Sequence, residues 1–158
     1  MEDKILKNYQ IISKYIVEIV KEQNWTYDYD EYDDYVSIEV AATSNEICVP
    51  LVMQVDIERE FFTAISVLPI PVPEDKQDEI AIAVNLINNY LVFGSFDYNY
   101  LEGAISYRFT SSYKESIISK SAYEFMIGII LTCLDTYTEN LTKLAFGEIT
   151  IDEFNDLV

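Results

Sequence analysis

The chain has no histidine among its 158 residues. That excludes histidine-based triads, histidine metal sites and imidazole proton shuttles. Its four glycines, at positions 94, 103, 128 and 147, stand apart, so no glycine-rich loop is present to cradle a phosphate. Its two cysteines, Cys48 and Cys133, form no CxxC pair, which removes a CxxC redox or zinc motif. Both lie in apolar runs, ICVPLV and LTCL, and read as buried reduced thiols. Positive charge is equally scarce. Ten Lys and Arg stand against 28 Asp and Glu, for a net charge of -18, and the arginines are only Arg59 and Arg108. Nucleic acid is gripped through Lys and Arg on phosphates, so nucleic-acid binding is disfavoured, as is docking to an anionic membrane. Basic partners would be attracted.

Long apolar runs are missing too. The longest helical one, residues 125–134, is about half a membrane span and is bracketed by Glu124 and Asp135. The opening Met-Glu-Asp-Lys lacks the basic start and apolar core of a signal peptide. A cytoplasmic protein is expected. Hydrophobic residues make up 50% of the chain, as in a globular protein, and the length fits one domain over residues 1–158.

Periodicity sets the element order. Ile5, Tyr9, Ile12, Ile16, Ile19 and Val20 recur every three or four residues, which predicts a helix over 2–23. Residues 24–34, NWTYDYDEYDD, form an acidic, Tyr-rich connector rich in turn formers, with only weak strand character at 25–29. Alternating apolar residues then predict strands at 35–42, 47–57 and 61–70, with turns at 43–46 and 56–60. Pro50 cannot donate to a sheet ladder, so a bulge is expected beside it. Three alternating prolines, Pro69, Pro71 and Pro73, end the sheet and lead into a helix over 74–91 whose start is crowded with acids. A hairpin follows, 95–101 and 104–113 around Glu102-Gly103, then a long helix over 116–146 stopped by Gly147. Thr150-x-x-Glu153 is a capping box for a short helix at 151–157. The predicted class is α+β, ordered α-β-β-β-α-β-β-α, with a five-stranded antiparallel sheet and helices packed on it.

Residues 72–113 carry a family pattern. An acidic helix start precedes the pairs Val84-Asn85 and Ile87-Asn88. A Phe-Gly-x-Phe entry, Phe93 to Phe96, then leads to a hairpin with an acidic-Gly turn, followed by a long helix holding Asp135 and Tyr137. The segment Gly147-Glu148-Ile149-Thr150 also fits. This stretch resembles the YbjN-like family of bacterial proteins, described as sensory transduction regulators with no assigned chemistry. That family in turn looks like the type III secretion chaperone fold, whose members are small, acidic and often dimeric. The resemblance implies a protein partner and a homodimer, with no cofactor. The acidic connector 24–34 matches neither group.

Two places are candidate contact sites. The helix over 74–91 is apolar over more than half its circumference: Ile80, Val84, Ile87 and Leu91 make one stripe, and Ile82, Ala83, Leu86 and Tyr90 another. One sheet face needs a stripe of only about 100°. The surplus must be covered by the long helix of the same chain, by a second subunit or by a partner, and Ile82, Leu86 and Tyr90 are the residues assigned to it. Tyr27, Tyr29 and Tyr32 in the connector are candidate protein-binding anchors, or pack over the sheet with wet hydroxyls. The connector's Asp28, Asp30, Glu31, Asp33 and Asp34 are hard oxygen ligands. Counted from Asp28, however, the sixth and twelfth places of a calcium loop fall on Asp33 and Glu39, and the required glycine is missing, so no metal site is assigned.

These features predict a non-enzymatic binding module, a chaperone-like or regulatory adaptor holding a basic or amphipathic segment of another protein. The alternatives are a carboxylate-based or divalent-metal-dependent enzyme, which needs acids converging in a pocket, and a structural subunit of a larger complex.

Overall fold

A computed structural model describes residues 7–44, 47–116 and 118–158. The first helix, α1 (Asn8–Glu22), buries Ile12, Ile16, Ile19 and Val20 along one stripe, as the spacing requires. It is followed by β1 (Tyr27–Glu31), β2 (Tyr35–Thr43), β3 (Cys48–Asp56) and β4 (Phe61–Val67). A single 3-10 turn (Glu74–Lys76) enters α2 (Gln77–Asn88). Then come β5 (Ser95–Asn99), β6 (Ala104–Ser112), α3 (Lys120–Ala145) and α4 (Ile151–Leu157). The predicted residues 2–6 of the first helix, the tip of the turn at 45–46 and position 117 lie outside the described residues.

The strands form one antiparallel sheet in the order β1-β2-β3-β4-β6-β5. It has six strands where five were expected. The extra strand is β1, inside the stretch read as an acidic connector. Its Tyr27 and Tyr29 alternate with Asp28 and Asp30, and an edge position lets the acids stay in water while the tyrosines lie on the helix side, Tyr27 half-buried and Tyr29 exposed.

The bulge expected at Pro50 does not occur. The β2–β3 register runs unbroken from Tyr35↔Asp56 to Thr43↔Cys48, with Pro50 opposite Ala41. The Ser44 N–H donates to the Ile47 carbonyl, and alternation from there puts the 41–50 pair in a non-hydrogen-bonded position. The proline nitrogen therefore points away from β2, and on that side pairing with β4 begins only at Val52. No ladder donor is lost.

Alternation divides the sheet into two faces. Val36, Ile38, Leu51, Met53, Phe62, Ala64, Ile105 and Tyr107 point to one face and are fully buried. All four helices contribute to that same core, through Ile16, Ile87, Ile130 and Phe154 among others. Lys120 on α3 reaches Glu22 of α1 at 2.5 Å and Glu18 at 3.8 Å, tying the two helices together. Ser44, at the end of β2, donates to the Asp135 carboxylate on α3. Among the described residues the opposite sheet face carries no helix. Cys48 lies there, exposed rather than buried as its apolar run implied, because its parity in β3 is opposite to that of Val49. Cys133 is half-buried, and both thiols are free.

Tyrosines close the core where strands meet helices. The Tyr107 hydroxyl donates to the Phe93 carbonyl at 2.8 Å, and that of Tyr113 to the Asp56 carbonyl at 2.6 Å. Gly94 makes the first contact possible. It sits at φ +68°, and a Cβ there would lie 2.6 Å from the Tyr107 Cζ and 2.7 Å from the Arg108 carbonyl oxygen.

Gly94→Ala is expected to lower stability by about 2–4 kcal/mol, combining left-handed backbone strain with overpacking against Tyr107. Urea denaturation reads the change.

Burial raises the phenol pKa of Tyr107, Tyr113 and Tyr123, and that of Tyr113 is pushed up to about 12, helped by Glu60 and Asp56. A phenol held above its ordinary value of 10 stabilises the fold fully below pH 10, and this contribution is lost as pH rises through about 12. Stability should therefore fall across that interval. Phenolate absorbance from these three rings should appear only together with unfolding in a pH titration.

Candidate functional site

The predicted contact residues fall into two groups at opposite edges of the sheet. Ile82, Leu86 and Tyr90 belong to α2 and the turn after it, and α2 packs on β5, one edge strand. Tyr27 and Tyr29 lie on β1, the other edge, and Tyr32 in the turn that follows. Five strand spacings separate β1 from β5, about 24 Å. The two groups are therefore distinct surfaces.

On α2 the wide apolar coat is split between inside and outside. Ile80, Ala83, Val84 and Ile87 are buried by β5, α3 and α4 of the same chain. That accounts for most of the surplus surface. What remains outside is Ile82, 51% exposed, and Tyr90, 66% exposed, with Leu86 half-buried between them. These three follow one another at intervals of four and form a single line.

The line leads into a feature that the sequence reading did not single out. After Tyr90 and the half-buried Leu91 come Val92, 85% exposed, and Phe93, also exposed. The Phe93 ring meets that of Phe125 on α3 edge-to-face at 6.3 Å, and Phe125 is itself 62% exposed. Large apolar side chains thus gather at the α2–β5 junction. The signal available in the sequence was the unbroken run YLVF at 90–93, which fits neither helical nor strand alternation and precedes a glycine. Its exposure follows from Tyr107. Because the Tyr107 hydroxyl holds the Phe93 carbonyl and Gly94 turns the chain sharply, the side chains before the turn are pushed outward.

The edge behind this surface is capped at Phe96. Asn88, the last residue of α2, donates its amide to the Phe96 carbonyl at 2.8 Å and accepts from the Phe96 N–H at 2.8 Å. The side-chain amide copies the groups that a neighbouring strand would offer.

At the other edge, Tyr29 and Tyr32 are exposed and Tyr27 is half-buried. Tyr32 stacks on Tyr35 with centroids 4.6 Å apart, and the Tyr9 hydroxyl of α1 reaches the Glu31 carboxylate at 3.4 Å. The negative field of Asp30 holds the Tyr32 phenol above its ordinary range, with Tyr35 and slight burial adding to it.

Two of the carboxylates are engaged by close neighbours. Glu139 bonds Lys143, which lowers its pKa, and Glu153 is lowered by the Thr150 N–H it accepts as the capping box. Among the described residues no three Asp, Glu or Cys come together as metal ligands. Likewise, no helix among them is long and apolar enough to cross a membrane.

No curated protein matches the chain. Residues 14–143, most of its length, match a family described as "YbjN: Putative bacterial sensory transduction regulator", a description that names regulation and no reaction. With the α+β fold and the element order in place, the chain belongs to the YbjN family.

Proposed function

We propose that this chain is a non-enzymatic, cytoplasmic regulatory adaptor that works by binding another protein. The observation that carries this reading is the exposure of Tyr90, Val92, Phe93 and Phe125 around the α2–β5 junction, with the Phe93 and Phe125 rings in contact and Ile82 exposed further back on α2. Exposed apolar side chains that gather in one place mark contact surfaces, and aromatic ones make strong anchors. The regulator description of the family supports the same direction. So does the charge of -18, which favours a partner with a basic or amphipathic segment.

The proposal has two further parts. The chain acts as one domain over residues 1–158, used in the manner of a secretion chaperone. It also forms a homodimer through the line of Ile82, Leu86 and Tyr90, a two-fold contact of the commonest kind.

Val92→Glu combined with Phe125→Glu tests the surface, since both side chains are largely exposed and neither replaces a core residue. The double variant should keep its circular dichroism spectrum and melting temperature. It should also lose at least about tenfold in recovery of a bound protein by affinity capture from a bacterial lysate. Capture of the same proteins by wild type and variant, or of none by either, contradicts the proposal.

A further inference from the structure

The two edges of the sheet are treated differently, and the difference points to a ligand. On β5 the outward backbone groups of Phe96 are both taken by Asn88. On β1 no such partner exists among the described residues. The Tyr32 N–H donates to the Tyr35 carbonyl, and alternation from that pair turns Asp28 and Asp30 toward β2. The N–H and C=O groups of Tyr27, Tyr29 and Glu31 therefore face outward. A free edge of this kind is a template for another strand.

Beside that edge, on the helix-free face, is a cleft of about 310 Å³. Ala41, Pro50 and Val52 give it apolar walls, and Asp28 and Glu39 stand at its rim. Asp28 lies directly opposite Glu39 in the register, a like-charge pair that costs stability when nothing lies between. Among the described residues no Lys or Arg forms an ion pair with either. Apolar walls below two carboxylates match one kind of side chain, a long methylene stem ending in a cation.

We infer that the β1 edge takes up an extended segment of another polypeptide as a seventh strand, with a Lys or Arg of that segment lying in the cleft between Asp28 and Glu39. The inference rests on the reading of the chain as a protein-binding adaptor and adds the partner's chemistry. The segment alternates. Side chains on the helix-free face meet Asp28 and Asp30 and are basic. Those on the other face meet Tyr27 and Tyr29 and are apolar. A second copy of this chain is disfavoured here, because edge-to-edge pairing would set Asp28, Asp30 and Glu31 against their own copies.

The probe is a fluorescein-labelled nonapeptide alternating lysine and valine, titrated into the full chain and read by anisotropy. Saturable binding is expected, with none for the same peptide carrying glutamate in place of lysine. Asp28→Asn with Glu39→Gln should weaken binding at least about tenfold. Ala41→Phe, which fills the cleft without changing charge, should do likewise. Two N-methylated peptides, one modified at the valines and one at the lysines, test the ladder directly. One of the two should lose binding, the valine form if the segment runs antiparallel and the lysine form if it runs parallel. The Val92→Glu, Phe125→Glu variant should bind the peptide as wild type does. That variant separates the two surfaces, since failure at the β1 edge leaves protein capture at the apolar surface untouched. No saturable binding, equal tolerance of both methylated peptides, or indifference to Asp28→Asn with Glu39→Gln overturns the inference.

Discussion

A β-sheet that does not close on itself leaves a row of backbone donors and acceptors at each end, and each row must be bonded, covered or left to water. This constraint organises the molecule. At β5 the chain spends the last residue of α2 on the problem, and the two Asn88 hydrogen bonds fix where that helix ends and where β5 begins. The tight connection between them then follows. It needs Gly94 at positive φ, it places the Phe93 carbonyl on the Tyr107 hydroxyl, and it turns Val92 and Tyr90 to solvent. The apolar surface is thus a consequence of how one edge is capped at Phe96.

At β1 the solution is charge. Asp28, Asp30 and Glu31 deter pairing with another acidic chain, which with a net charge of -18 includes every copy of this one. The same acids leave the edge open to a basic segment. The layering agrees with this division of labour. Among the described residues the helices lie on one face, so an added strand meets tyrosines on that side and, on the bare side, a cleft with apolar walls and two carboxylates.

Much of this was readable before any coordinates, because most elements here follow their own local rules. The i, i+3, i+4 spacing from Ile12 to Val20, the alternation from Ile105 to Phe109 and the Thr150–Glu153 box each hold in the structure, as does the stop at Gly147. The misreadings share one cause, which is context. Residues 27–31 are too acidic to look like a strand and become one only because β2 supplies an edge. Pro50 was expected to bulge, yet its nitrogen points away from β2 and the β3–β4 pairing begins only at Val52. Cys48 sits in an apolar run but on the bare face. For the contact surfaces, Ile82 and Tyr90 were visible as helical surplus, whereas Val92 and Phe125 were not, since their exposure depends on how Gly94 and Tyr107 meet. The pairing of Asn88 with Phe96 is tertiary and leaves no periodic trace.

The asymmetry between the edges can be measured in the chain alone, by residue-resolved amide hydrogen exchange. Phe96 and Tyr29 both point outward from edge strands, but only Phe96 has a partner. The account predicts that Phe96 exchanges slowly, that Tyr29 exchanges quickly, and that Asp28 and Asp30, bonded inward to β2, fall on the slow side. Equal exchange at Phe96 and Tyr29, in either direction, would contradict it.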